Sequence, residues 1–180
     1  MKDGPAFAEL VAATNFSFLR GASSSEHMVL YSLVLGQNGL GIADRNTVAG
    51  VVRAYAALKQ LREEGILPTL KLREGSGPGE FREQKQMEVP ADVLAFLRER
   101  AQTFKLVTGT RLVFADGTPD IVVHPQNRLG WGNICRLLTL GNRRTKKGEC
   151  HLELDDLLRH AGDTLLIAMP SREPEQMAAL

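Results

Sequence analysis

Apolar runs alternate with amphipathic segments along the first third of the chain. Residues 7–13 and 40–43 are short apolar runs typical of buried strands. The segments after them, one from about Met28 to Leu35 and one over 48–64, place apolar residues at helical spacing. This strand–helix–strand–helix order predicts an α/β fold with mostly parallel strands.

Local signals predict where the helices begin and end. Ser23 followed by Glu26 has the spacing of a capping box, and Asn38-Gly39 supplies the left-handed residue that commonly ends a helix. Pro90 and Asn127 are expected to start two later helices. The later predicted helices cover 91–102, 127–140 and 152–160, and the later strands cover 105–114, 120–123 and 164–168.

The middle of the chain has a different pattern. Residues 73–88 are rich in glycine and charge and carry almost no core material, which predicts a surface loop. The tail at 171–180 has no strong pattern.

Composition narrows the function classes. The chain has 22 basic and 21 acidic residues, so a general nucleic-acid or membrane-surface binder is not predicted. A basic run remains a candidate DNA contact, with a solvated loop as the commoner alternative; its members are Arg143, Arg144, Lys146 and Lys147. Cys135 and Cys150 lack zinc-site spacing and are expected to be reduced thiols. No apolar run could span a membrane, and a cytoplasmic protein is expected.

Several segments, in order, resemble one family. They are Asn15 to Ser23 (NFSFLRGAS), Ala43 to Asn46 (ADRN), Gly50 to Tyr55 (GVVRAY), Ala115 to Asp120 (ADGTPD), Asn133 to Gly141 (NICRLLTLG) and Lys147 to Leu152 (KGECHL). Together they resemble the PHP (polymerase and histidinol phosphatase) domain at the N-terminus of bacterial C-family DNA polymerases. The ADRN turn and the KGECH segment are similar to the error-prone, damage-induced branch. The resemblance implies a TIM-like PHP barrel, here partial or distorted, with further strands and the polymerase core lying beyond Leu180. It implies a PHP domain over 1–170, in which the segment 61–102, outside the resemblance, is interpreted as an insertion.

Active members of this family hold metal ions with histidines and carboxylates, and the metals activate a hydroxide for phosphoester hydrolysis. The resemblance carries the former ligand positions onto Val11, Ala13, Asp44, Arg45, Arg111 and Asp120. Aliphatic side chains offer no lone pair, and a guanidinium repels a cation. The resemblance therefore implies no metal, no cofactor and no catalytic residue.

Four of the residues named here carry alternatives. Arg45 is hypothesised to occupy the former metal space and to pair with Asp44 or Asp120. Asp44 is either a surviving active-site carboxylate or, more commonly for this residue type, a helix-capping turn residue. His124, before Pro125, is expected to be an ordinary loop histidine rather than one facing the old metal pocket. Trp131 is expected to be a packing anchor rather than a platform on which bases stack, because it has no aromatic neighbours in the sequence.

The function implied by the resemblance is a non-catalytic structural or docking segment of an error-prone DNA polymerase. The parent enzymes perform DNA-directed DNA synthesis during damage tolerance. The implied partners are the remainder of the polymerase chain and mutasome proteins, with self-association covering an open barrel edge. Two alternatives stay open: a metal-dependent PHP phosphoesterase and a free-standing interaction module.

Overall fold

A computed structural model describes residues 6–65 and 89–170, so the predicted loop at 73–88 and the tail at 171–180 lie outside it. The elements are β1 (Ala8–Ala12), α1 (Ser25–Val34), β2 (Gly39–Arg45), α2 (Ala49–Glu63), α3 (Ala91–Thr103), β3 (Lys105–Leu112), β4 (Ile121–Pro125), α4 (Arg128–Arg143), α5 (Leu154–His160) and β5 (Thr164–Ala168). None of the helices in these two ranges is long and apolar enough to cross a bilayer.

The five strands form one sheet in the order β1-β2-β3-β4-β5. β1, β2 and β3 pair in parallel, whereas β4 pairs antiparallel with both β3 and β5. Four strands therefore run in one direction, and β4 opposes them. The sheet curls into a half-barrel, which confirms the predicted α/β class and the partial barrel.

The helices pack against one face of the sheet. Leu40 and Ile42 of β2 are buried there against α1, α2 and α3, and Leu112 and Ile121 are buried in a second cluster against α4 and α5. Burying one such side chain contributes about 2 kcal/mol. Residues that alternate with these four point to the other, concave face of the half-barrel.

Two helix-end predictions were wrong, because in each case a neighbouring residue takes the predicted role. α1 is capped by Ser24, whose hydroxyl accepts from the His27 N–H at 3.3 Å. The Ser23 carbonyl instead accepts from the Asn15 N–H at 2.9 Å and closes the preceding loop. Gly36, with φ of 78°, follows the helix end, whereas Gly39 begins β2. A Cβ on Gly39 would lie 2.7 Å from the Lys105 carbonyl oxygen, so glycine there permits close strand pairing.

Both described flanks of the predicted insertion belong to the helical layer. Leu61 is 1% exposed, and Leu97 and Ala101 of α3 are 2% and 0% exposed in the same cluster. Arg62 of α2 also donates to the carbonyl oxygens of Ala101 and Phe104, at 2.7 and 2.6 Å. α3 is therefore fixed to α2 by packing and by two charge-assisted hydrogen bonds.

Candidate functional site

Strand alternation brings most of the former ligand positions to the concave face. Val11 and Ala13 flank Ala12, which is buried under the helices, so their side chains point the other way. Arg45 lies two residues beyond Ala43 on the concave side of β2, and Arg111 is its register partner on β3. This edge of the sheet, where β1, β2 and β3 end, is the candidate site.

An ion pair occupies this edge. The Nε and Nη2 atoms of Arg111 both lie 2.7 Å from Oδ2 of Asp120, which precedes β4. The two side chains are 31% and 22% exposed, so water screens the pair only in part. The hypothesis that Arg45 pairs with Asp44 or Asp120 was wrong, because both carboxylates bond to other residues and Arg45 is exposed.

Asp44 points away from the concave face. It lies on the same face of β2 as Leu40 and Ile42, and its carboxylate is fully buried beneath the start of α2. Oδ1 accepts from the Thr14 N–H at 2.7 Å and from the Ser17 hydroxyl at 2.6 Å, and Oδ2 accepts from the Thr14 hydroxyl at 2.8 Å. The helix-capping interpretation was also wrong, since the N-cap of α2 is Val48, without a side-chain bond.

Two features allow a buried carboxylate without a cationic partner among the described residues. Three charge-assisted hydrogen bonds satisfy Asp44, and the N-terminus of α2 carries the positive end of the helix dipole. Gly50 in the first turn of α2 lets the carboxylate approach, because a Cβ there would overlap Asp44 Oδ2. The only sequence signal for Thr14 and Ser17 as donors to this carboxylate is that Thr14 precedes the NFSFLRGAS motif and Ser17 lies within it.

The imidazole of His124 is buried on the concave side of the sheet. His124 is 4% exposed on β4, so the expectation of an ordinary loop histidine was wrong. Its Nδ1 lies 2.8 Å from the Thr108 carbonyl oxygen, and its Nε2 lies 3.0 Å from the Leu10 carbonyl oxygen. The ring fits because Gly109 has no Cβ, which would otherwise overlap Nδ1.

Within the basic run, the Arg144 side chain is bonded to a carboxylate, whereas the other three side chains extend into solvent. Arg144 donates to both carboxylate oxygens of Asp156, at 2.5 and 2.8 Å. This bidentate bond holds the pKa of Asp156 below its usual value and raises the pKa of Arg144. Arg143, Lys146 and Lys147 are exposed. Of the four candidate DNA contacts, these three have charged side chains without an ion pair to another described residue.

Trp131 lines a surface groove, and the two cysteines are partly buried. Trp131 lies at an open groove of about 370 Å³ between α2 and α4, lined also by Val51, Thr108, Pro125, Gln126 and Asn127. Burial raises the pKa of the thiols of Cys135 and Cys150. Across 6–65 and 89–170, no three His, Cys, Asp or Glu residues are grouped closely enough to hold a metal ion.

Searches of known proteins return long bacterial relatives. An error-prone DNA polymerase of Sinorhizobium medicae is 42% identical over 183 residues and covers 100% of this chain. Error-prone DNA polymerase 1 of Rhizobium meliloti and the error-prone DNA polymerase of Ruegeria pomeroyi are each 42% identical over 97% and 91% of the chain. The chain spans only 12–14% of the length of these three relatives.

No protein-family model matches the chain. A crystal structure of a candidate metal-dependent phosphoesterase from Bifidobacterium adolescentis aligns with 89% of this chain and 45% of that one, at 16% identity and a TM-score of 0.44. The polymerase relatives confirm the resemblance to the error-prone branch, and the chain belongs with the bacterial error-prone DNA polymerases as the counterpart of one segment of those longer proteins.

Proposed function

We propose that this chain is the PHP segment of an error-prone DNA polymerase and that it acts as a non-catalytic structural or docking domain. The whole polypeptide would carry out DNA-directed DNA synthesis during damage tolerance, in the cytoplasm. The relatives' name supports the polymerase assignment, and the chemistry of the concave edge supports the absence of catalysis.

The main support for this proposal is the ion pair between Arg111 and Asp120. Of the former ligand positions on the concave face, Val11 and Ala13 offer only hydrocarbon, and Asp120 is the sole carboxylate among the described ones. Two nitrogen atoms of Arg111 already neutralise it, each at 2.7 Å. A divalent ion would have to displace a guanidinium and approach Arg45, so the residues present do not fit a metal cluster.

Metal analysis and a hydrolysis assay test this proposal. We expect the purified chain, after incubation with Mn²⁺ or Zn²⁺ and removal of excess ion, to retain far less than one equivalent of metal. We also expect p-nitrophenyl phosphate hydrolysis no faster than the metal-only blank. Stoichiometric metal together with hydrolysis that Asp120→Ala abolishes would establish the phosphoesterase alternative instead.

The structural role needs a separate measurement, because it concerns the whole longer polypeptide. The Arg111→Ala/Asp120→Ala variant of the longer polymerase should retain primer extension per folded molecule, since neither residue is assigned a chemical step. Its thermal midpoint should fall, because the ion pair joins β3 to the start of β4. Loss of primer extension with an unchanged midpoint would contradict a purely structural role.

The basic run supports a second, independent contact. Arg143, Lys146 and Lys147 are exposed at the end of α4 and in the turn after it, where they could meet phosphates of DNA bound by the polymerase. Charge-removing substitutions at these three residues should reduce the salt dependence of DNA binding, and an unchanged salt dependence would exclude the contact. Arg144 is excluded from the set, because removing it would break its bonds to Asp156.

A further inference from the structure

The loop between β1 and α1 presents apolar side chains to solvent. Phe18 is 83% exposed and Leu19 is 89% exposed, and Phe16 beside them is 37% exposed. Adjacent exposed apolar side chains of this size commonly mark a binding surface. We call this feature the Phe18 loop, defined as residues 14–23.

The Phe18 loop is held in one shape by its own backbone. The N–H of Ser17 donates to the Thr14 carbonyl at 2.9 Å, and the N–H of Gly21 donates to the Ser17 carbonyl at 3.0 Å. Leu19 has φ of 61°, a left-handed conformation that costs free energy for a residue with a Cβ. The exposed side chains are therefore pre-positioned, which lowers the entropy cost of binding.

The sheet anchors the same loop at the candidate site. The Ser17 hydroxyl donates to buried Asp44 at 2.6 Å and accepts from the Arg45 N–H at 3.0 Å. Asp44 thus fixes the loop from beneath, and the backbone N–H of Arg45 contacts it directly.

Arginines lie within and beside the Phe18 loop. The Arg53 guanidinium lies 5.6 Å from the centre of the Phe16 ring, and its ion pair with Glu26 is loose at 3.9 Å. Arg20 within the loop and Arg45 beside it are both exposed. The Asp44 carboxylate is buried and already bonded, so the surface is locally positive although the whole chain is nearly neutral.

We propose that the Phe18 loop binds single-stranded DNA. Arginines that bind phosphates beside aromatic rings that stack on bases form the recurring chemistry of single-strand recognition. Phe18 supplies an open ring face, and Arg20, Arg45 and Arg53 supply the cations. The choice of DNA over an acidic peptide rests on the proposed role within a DNA-synthesising polypeptide.

Fluorescence anisotropy of a labelled oligothymidylate tests the proposal with the full chain. Phe18→Ala should weaken binding about tenfold through the lost stacking. Arg20→Gln should reduce the slope of log binding constant against log salt by about 0.7, the value for one phosphate contact on a single strand. Circular dichroism checks that both variants are folded.

Phe96→Ala is a matched control. Phe96 on α3 is 45% exposed and also lies beneath an arginine, with Arg100 at 5.7 Å from its ring centre, but the Phe18 loop is not involved. Its substitution should leave binding unchanged within about twofold. A loss in this control as large as the loss in Phe18→Ala would place the DNA elsewhere and overturn the proposal.

Two other outcomes would also overturn it. The first is an absence of binding by the unaltered chain at low salt. The second is displacement of the oligonucleotide by polyglutamate at equal charge concentration, combined with no effect of Phe18→Ala, which would indicate an acidic protein partner. Neither outcome bears on metal content or hydrolysis, so the proposed non-catalytic role is tested separately.

Discussion

His124 and Leu10 lie 114 positions apart, yet the Nε2 atom of His124 is 3.0 Å from the Leu10 carbonyl oxygen. These residues belong to β4 and β1, which are separated by two strands in the sheet. The contact crosses the concave side and ties the two strands together. At this point β1 has an irregular register, and the Glu9 carboxylate accepts the Val11 N–H at 2.7 Å, so the freed backbone groups around Leu10 are satisfied.

Replacing His124 should remove this contact between β4 and β1 and destabilise the fold. His124→Ala removes the imidazole, which in one tautomer donates to one of the two facing carbonyl oxygens, and it leaves a cavity. We therefore expect the free energy of unfolding to fall by about 2–3 kcal/mol. Urea denaturation measures the change. His151→Ala is the control, because the His151 side chain is 45% exposed and should give less than about 0.5 kcal/mol. Equal losses of unfolding free energy in the two variants would contradict a stabilising contact between His124 and Leu10.

The space for this imidazole depends on Gly109. Gly109→Ala would push a Cβ into His124 Nδ1 and should cost about 2 kcal/mol. A Cβ added to Gly132 of α4 would have no neighbour within 4 Å, so Gly132→Ala should instead stabilise by about 0.5–1 kcal/mol. Combining Gly109→Ala with His124→Ala should relieve only part of the cost, since the Val123 carbonyl oxygen would also lie 2.8 Å from a Cβ at position 109. Fully additive costs in urea denaturation would show that the two residues do not interact.

Sequence periodicity predicted the strands and helices, but it did not predict the burial of His124. The strand at 164–168 and the helix start at Asn127 were predicted correctly, because apolar period and cap chemistry are local. His124 precedes Pro125, a pattern typical of a strand end. Its burial is decided by Gly109 and by a carbonyl on β1, both distant in sequence. Tertiary contacts of this kind leave no local pattern.

Asp44 should be among the most sensitive polar positions. Asp44→Asn turns an amide toward at least one of the three donors from Thr14 and Ser17, so we expect a loss of about 2 kcal/mol in the free energy of unfolding. Asp155→Asn on α5 is the matched control, since Asp155 is 63% exposed in an ion pair with Arg159 and should change stability by under about 0.5 kcal/mol. A loss at Asp44 no larger than at Asp155 in urea denaturation would refute the network.

The candidate site was predictable in part. The resemblance named Val11, Ala13, Arg111 and Asp120 as former ligand positions, and the parallel register of β2 and β3 places Arg45 opposite Arg111. Which arginine would pair with Asp120 was not predictable, because it depends on the antiparallel β3–β4 connection. Asp44 was placed in a turn, whereas β2 continues through Arg45 and alternation turns the carboxylate toward the helices.

Acid should weaken the contact between Arg144 and Asp156. The bidentate bond lowers the pKa of Asp156 in the folded chain, whereas the unfolded chain keeps the ordinary value of 3.8. A carboxylate with a lowered folded pKa contributes stability that is fully present above pH 3.8 and is lost as pH falls through the folded pKa. Asp156→Asn should therefore cost stability at neutral pH, and the difference from the unaltered chain should shrink in acid.

Urea midpoints at neutral pH and well below pH 3.8 measure this difference. Asp156 is 3% exposed and also accepts the Glu153 N–H at 3.0 Å at the start of α5, so its loss should loosen both that helix and the turn after α4. Asp155→Asn on the same helix removes an equal charge from an exposed pair and should show no comparable shrinkage. If the two variants have the same pH dependence, the pairing of Arg144 with Asp156 contributes nothing beyond general charge, and Arg144 returns to the set of candidate DNA contacts.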